Sequence, residues 1–144
     1  MIFARLFRFP YVSGDSMWPT YQDGDRLVCI TCFSLNDGDV VVVESDTLGG
    51  YIVKRVIGLG GQHVYSDGEH LYVDDVPRDT LFAHGSGYDE IDVVVPEGQI
   101  YVMGDNRSHS TDSRIIGCIN ESDIYGKVLI NLGEDARNNT KVNR

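Results

Sequence analysis

From Asp25 onward the chain alternates short apolar runs with polar, turn-forming punctuation. The apolar runs are "DRLVCITCF", "DVVVVES", "GYIVKRVIGL", "QHVYS", "EHLYVDD", "IDVVVP", "QIYVMG" and "YGKVLINL". They are rich in Val, Ile and Tyr, which suit a pleated, half-buried surface, and Gly, Asp, Asn or Pro bounds each of them. "SDGE" at Ser66 to Glu69 predicts a hairpin turn, and "VDDVP" and "VPEG" predict further turns. No window sustains apolar positions at i, i+3, i+4 and i+7. Helix is therefore expected only as a short turn after Arg107 and another around Asn120 to Asp123. The pattern predicts an all-β fold of antiparallel sheets, a partly open barrel or sandwich, without internal repeats.

The length of 144 residues suits one compact domain. Residues 1–132 are expected to form it, and the polar stretch 133–144 a flexible tail. Residues 1–12, "MIFARLFRFPYV", differ from the rest in carrying two arginines, no acid and many apolar side chains. They suit a first strand, an interfacial patch or the stub of an upstream anchor. No stretch approaches the roughly 20 apolar residues that span a bilayer. No transmembrane anchor is therefore expected within the chain.

Charge narrows the partners. Twelve basic against 22 acidic residues give a formal net charge of −10, which argues against nucleic acid and against electrostatic adhesion to anionic lipid. Cys29 and Cys32 have C-x-x-C spacing, but "RLVCITCFSL" reads as a strand, on which positions three apart face opposite sides. No second closely spaced pair completes a zinc site. Structural thiols are expected, with neither metal nor cofactor.

The candidate chemistry starts at "SGDSMWPT", Ser13 to Thr20, where Ser16 has the setting of a reactive serine. A serine hydroxyl attacks only when a base takes its proton. Two bases are conceivable. His109 lies in "GDNRSHSTDSR" between Asp105 and Asp112, which permits a Ser–His–Asp triad; His63 and His70 read as surface residues of hairpin strands, and His84 as a loop residue. The alternative is Lys54, one of only three lysines, inside the apolar run "GYIVKRVIGLGG". Lysine ordinarily titrates near ~10.4 and has no free lone pair at neutral pH. An apolar strand lowers that value by desolvating the ammonium. Arg55, the next residue, points to the opposite strand face.

"SGDSMWPT", "YIVKRVIGLGG" and "YVMGDNRSHSTDSR", in that order, resemble the successive signature boxes of type I signal peptidases, and the Gram-positive enzymes in particular. The resemblance covers Ser13 to Ile130. It implies an all-β serine endopeptidase with a Ser/Lys dyad. Ser16 is then the nucleophile, Lys54 the general base, and Ser110 the hydroxyl that bonds and orients the lysine amine. Asp112 and Arg114 form a structural pair, while Asp105, Asn106 and Arg107 serve mainly as scaffold. Met17 and Pro19 set the serine loop and shape the cleft. Gly14 stands where some members carry a Ser or Thr that donates to the oxyanion, so backbone N–H groups, that of Ser16 among them, must do more of that work. "GLGG" replaces the usual "GLPG".

The resemblance further implies preprotein substrates cut after an A-x-A-like site, at the cell membrane with the catalytic domain on its extracytoplasmic face. Trp18 and the Phe-rich start then offer an apolar rim toward lipid. Two rivals differ in observable ways. A self-cleaving repressor of similar fold needs a cleavable Ala-Gly or Cys-Gly bond before the serine, and none is present. A peptide-binding module without catalysis has no need of Ser16, Lys54 and Ser110 together.

Overall fold

The computed structural model describes residues 5–78, 83 and 90–133. Among the described residues eleven strands, all paired antiparallel, form two sheets. The strands are β1 (Phe7–Arg8), β2 (Leu27–Ile30), β3 (Val40–Ser45), β4 (Gly50–Leu59), β5 (His63–Ser66), β6 (Leu71–Val73), β7 (Val76–Pro77), β8 (Ile91–Val94), β9 (Gln99–Met103), β10 (Ile119–Asn120) and β11 (Ile124–Asn131). The larger sheet runs β1-β2-β11-β3-β4-β9-β10 and the smaller β7-β6-β5-β8. The all-β antiparallel expectation is borne out. Helix among the described residues is confined to single turns, including 3₁₀ turns at Arg107–His109 and Glu121–Asp123 and one α-turn, α1 (Ser113–Ile116).

The predicted turns fall where the polar punctuation placed them. Asp67 Oδ1 accepts the N–H groups of Glu69 and His70, closing the β5–β6 hairpin. Asp74 and Asp75 turn β6 into β7 with φ of 49° and 64°. Both lie in the left-handed region that a tight two-residue hairpin needs, and Asp tolerates it better than bulky residues. Within the opening segment Phe7–Arg8 form β1, which pairs with β2 through Phe7↔Ile30 and Arg8↔Cys29.

One strand is shorter than its sequence suggests. β2 ends at Ile30, so Cys32 is exposed beyond it, while Cys29 is buried; all three cysteines are free. Thr31 redirects the chain there, donating its N–H to Leu6 O and its hydroxyl to Arg5 O. The two thiols are separated by the end of the strand, not by its alternation.

Three apolar clusters hold the sheets. The small sheet packs on the large one through Val64, Leu71, Val73 and Ile91 against Ile57, Tyr101 and Met103. A second cluster covers β3, β4 and β9 with Val41, Val43, Val56, Ile100 and Val102. The third joins Val12, Leu27, Cys29 and Val42. The middle of β4 is thereby enclosed, and residues 54–58 are all buried. This explains why an apolar pattern contains two adjacent cations. Each must find a partner inside the protein.

Candidate active site

Lys54 lies opposite Val41 on β3, and Arg55 lies opposite Val40 on one side and Met103 on the other. Successive strand residues point to opposite faces, so the two cations diverge. Lys54 is only 4% exposed, and its Nζ stands 2.7 Å from Ser16 Oγ. Burial pulls its pKa below that of an ordinary lysine. The Asp112 carboxylate pulls it back up in part, and Arg114 adds to the lowering. Arg55 makes a bidentate pair with Asp105, Nε to Oδ1 and Nη2 to Oδ2 at 2.8 Å each, and donates through Nη1 to Gly38 O.

Ser16 sits in a loop between Val12 and the start of β2. The loop folds on itself through Trp18 N–H to Asp15 O and Tyr21 N–H to Met17 O, and Gly14 N–H donates to Asp23 Oδ1. Met17 is buried and plugs the loop into the body of the protein, whereas Trp18 and Pro19 are exposed and joined by a cis peptide bond. The "GDNR" stretch after β9 braces the loop from the far side. Asn106 N–H donates to Ser16 O at 2.9 Å, and Asn106 Nδ2 donates to Asp15 O at 3.1 Å. Arg107 is buried and donates through Nε to Gly104 O.

Asp112 is the hub of the remaining contacts. Its side chain is fully buried, paired with Arg114 through Nε to Oδ1 and Nη2 to Oδ2, both 2.9 Å. Gly104 N–H and the Ser110 hydroxyl also donate to Oδ2, at 2.9 and 2.8 Å. Burial pushes this carboxyl up, but the Arg114, Gly104 and Ser110 bonds outweigh it and hold the group below the usual carboxylate range. Gly104 is wedged between Ser110 and the backbone oxygen of Ser16, so that any Cβ there would overlap both. Close approach, not backbone conformation, requires glycine at this point.

The structure thus brings together most of the residues singled out in the sequence, in one respect differently. The Ser110 hydroxyl donates to Asp112. The lysine amine, its partner by resemblance, is engaged with Ser16. Asn106 has a more direct place than scaffold, since both its N–H groups hold the Ser16 loop. His109 is exposed, with Nδ1 3.1 Å from Ser108 Oγ, and both carboxylates that flank it in sequence turn inward to arginines. His84 and residues 134–144 lie outside the described residues. Sequence reasoning assigns no role to Thr20, Arg55 or Gly104, although Thr20 closes the first signature box and Arg55 is placed on the face opposite Lys54. For Arg55 a signal existed, since a second cation in an apolar strand demands a buried acid.

The site thus sets a buried lysine amine against a serine hydroxyl inside an antiparallel β fold. A family model described as "Signal peptidase, peptidase S26" matches residues 1–132. The chain belongs to that family, whose members are serine endopeptidases that remove signal peptides. It is 35% identical to a probable signal peptidase I-1 of Synechocystis, over 90% of this chain and 75% of that protein. It is 36% identical to signal peptidase IB of Staphylococcus aureus, over 88% and 78% of the two chains. A crystal structure of a signal peptidase I from Enterococcus faecalis is similar with a TM-score of 0.61 and 26% identity, covering 69% of this chain and all of the other.

Proposed function

We propose that this chain cleaves signal peptides from preproteins with Ser16 as nucleophile and neutral Lys54 as general base. The observation that carries this reading is the 2.7 Å contact of a buried lysine amine with the Ser16 hydroxyl. That distance permits direct proton transfer. Burial lowers the lysine pKa, which increases the fraction holding a free lone pair.

In this mechanism Lys54 takes the Ser16 proton as the oxygen attacks the scissile carbonyl. Backbone N–H groups of the serine loop, that of Ser16 included, stabilise the oxyanion. The ammonium then protonates the departing amine, and water repeats the cycle on the acyl-enzyme. A hydroxyl has one proton, and Ser110 gives its own to Asp112, which as a carboxylate only accepts. Toward Lys54, Ser110 therefore offers lone pairs alone. It is suited to take an N–H of the amine and leave the nitrogen lone pair for Ser16.

The substrates are preproteins, presented at the cell membrane to a catalytic domain on the extracytoplasmic face. Phe9, Tyr11 and Trp18 remain exposed in or near the segment that leads to Ser16, which supports contact of this rim with lipid. With a net charge of −10, such contact rests on apolar insertion and not on attraction to anionic headgroups. Among the described residues no helix is long and apolar enough to cross a membrane.

The test is cleavage of a purified preprotein, read by mass spectrometry of the products. Ser16→Ala and Lys54→Ala are expected to be inactive and folded, and His109→Ala to keep most activity. An active Lys54→Ala beside an inactive His109→Ala would replace the dyad with a triad.

A further inference from the structure

The Thr20 hydroxyl donates to Asp105 Oδ2 at 2.5 Å, from within the loop that carries Ser16. That carboxylate is fully buried and already holds Arg55 through both oxygens. Arg55 is bonded to Lys54 along β4. A continuous path therefore runs from the nucleophile loop through Thr20, Asp105 and Arg55 to the strand bearing the amine. We propose that Thr20 is a positioning residue for signal-peptide cleavage, fastening the serine loop to the strand of the base. The inference rests on the reading of Ser16 and Lys54 as nucleophile and base.

The physical case has three parts. First, a carboxylate cannot donate, so the short contact is the Thr20 proton given to a charged acceptor, among the stronger hydrogen bonds a protein makes. Second, Asp105 is itself immobile, because a planar guanidinium fixes both oxygens and Arg55 is tied by Gly38 O as well. Thr20 thus ties the loop to a rigid post. Third, Asn106 already anchors the loop at Ser16 O and Asp15 O. Those bonds hold the loop to the stretch after β9 and buried Met17 holds it to the core, and the Thr20 bond, four residues from Ser16, adds the tie toward β4 through Asp105 and Arg55. An error of about 1 Å in the approach of reacting groups costs on the order of 100-fold in rate.

Thr20 is partly buried, so removing its hydroxyl need not collapse the fold. The test compares Thr20→Val and Thr20→Ala, which lack the hydroxyl, with Thr20→Ser, which keeps it. Each is assayed on a preprotein well below its own Tm, with kcat, KM and the pH profile of kcat/KM recorded, and Lys54→Ala included. Both hydroxyl-free variants are expected to lose about 10- to 100-fold in kcat with KM changed by less than about 3-fold. The acidic limb of their profile moves to higher pH, because a loosened loop readmits water to Lys54. Thr20→Ser stays within about 3-fold of the parent kcat. A lowered Tm with unchanged kcat and profile, or a serine variant as impaired as the valine, overturns the proposal. Full activity in Lys54→Ala would instead overturn the dyad, and it is scored separately.

Discussion

Lys54 is 4% exposed, yet its Nζ lies 2.7 Å from Ser16 Oγ, so the site keeps a basic group in the protein interior. Only the neutral amine can accept the serine proton. The fraction neutral rises with pH through the depressed Lys54 pKa, so kcat/KM is expected to climb through an acidic limb set by this group. The limb should stand below the range of an exposed lysine. Asp112 opposes the depression, so Asp112→Asn is expected to move the limb to still lower pH, even as kcat falls. A limb unchanged by Asp112→Asn would mean that another group controls it.

The same burial has a thermodynamic cost. The folded pKa of Lys54 lies below the unfolded one, so between the two the unfolded chain binds more protons and stability rises with pH. Below the folded pKa the penalty is present in full, and above the ordinary lysine value it is gone. Lys54→Met keeps the volume and drops the charge. Its Tm is expected to exceed that of the parent near pH 6, with the gap narrowing as pH approaches 10. Calorimetry across that range checks it, and a gap that widens with pH would contradict the sign. Activity should be absent throughout, a site-specific exchange of stability for function.

Ser110→Ala removes the hydroxyl that donates to Asp112 and that, in the proposed mechanism, takes an N–H of the Lys54 amine. The expected result is a fall in kcat on the order of 10- to 1000-fold without a matching rise in KM. Asp112 Oδ2 also loses one of three donors, the others being Gly104 N–H and Arg114 Nη2. A stability loss of about 1 kcal/mol should accompany the kinetic effect. A change in KM alone would count against an orienting role. The pair behind it is less tolerant, since Asp112→Ala removes both carboxylate oxygens that the mostly enclosed Arg114 side chain holds, and it is expected to cost about 3 kcal/mol.

Gly104→Ala is expected to be severe in both respects. Its Cβ would stand 2.5 Å from Ser16 O and overlap Ser110 as well, backbone on one side and the hydroxyl bonded to Asp112 on the other. Neither is the free end of a flexible chain, so Ser16 and Ser110 must each shift away from Gly104. Loss of cleavage is expected together with a fall in Tm. Parent-like kinetics in this variant would show that the site tolerates a wider spacing than its contacts imply.

The strands were legible in the sequence because each apolar run is short, β-branched and closed by a turn signal. The end of β2 was not, because "VCITCF" keeps its pattern past Ile30 and only the tie of Thr31 to Leu6 stops it. At the site, the chemistry-bearing residues stood out by type, as a serine among turn residues and a lysine among valines. Their connections did not. Ser110 to Asp112 is a choice of hydrogen-bond direction, and Thr20 to Asp105 joins residues 85 apart in the chain. Neither leaves a mark in local pattern.

Specificity is the last expectation, and it follows from strand geometry more than from the dyad. The surroundings of Ser16 are β-structure and tight loops, and a peptide laid extended beside them points alternate side chains the same way. Residues one and three before the cut then face the enzyme, and the residue between faces away. Shallow pockets reject a large side chain by overlap, which contacts elsewhere do not easily offset. A preprotein whose signal ends in Ala-x-Ala is expected to be cut whatever ordinary residue occupies x. Replacing either alanine by Phe or Leu should nearly stop cleavage, while the same replacement at x should change kcat/KM little. A panel varied at the three positions, read by the mass of the mature N-terminus, decides the matter. Equal tolerance at all three would mean that the substrate is not held as a strand, and the reading of the serine loop as one wall of an extended-peptide cleft would fail with it.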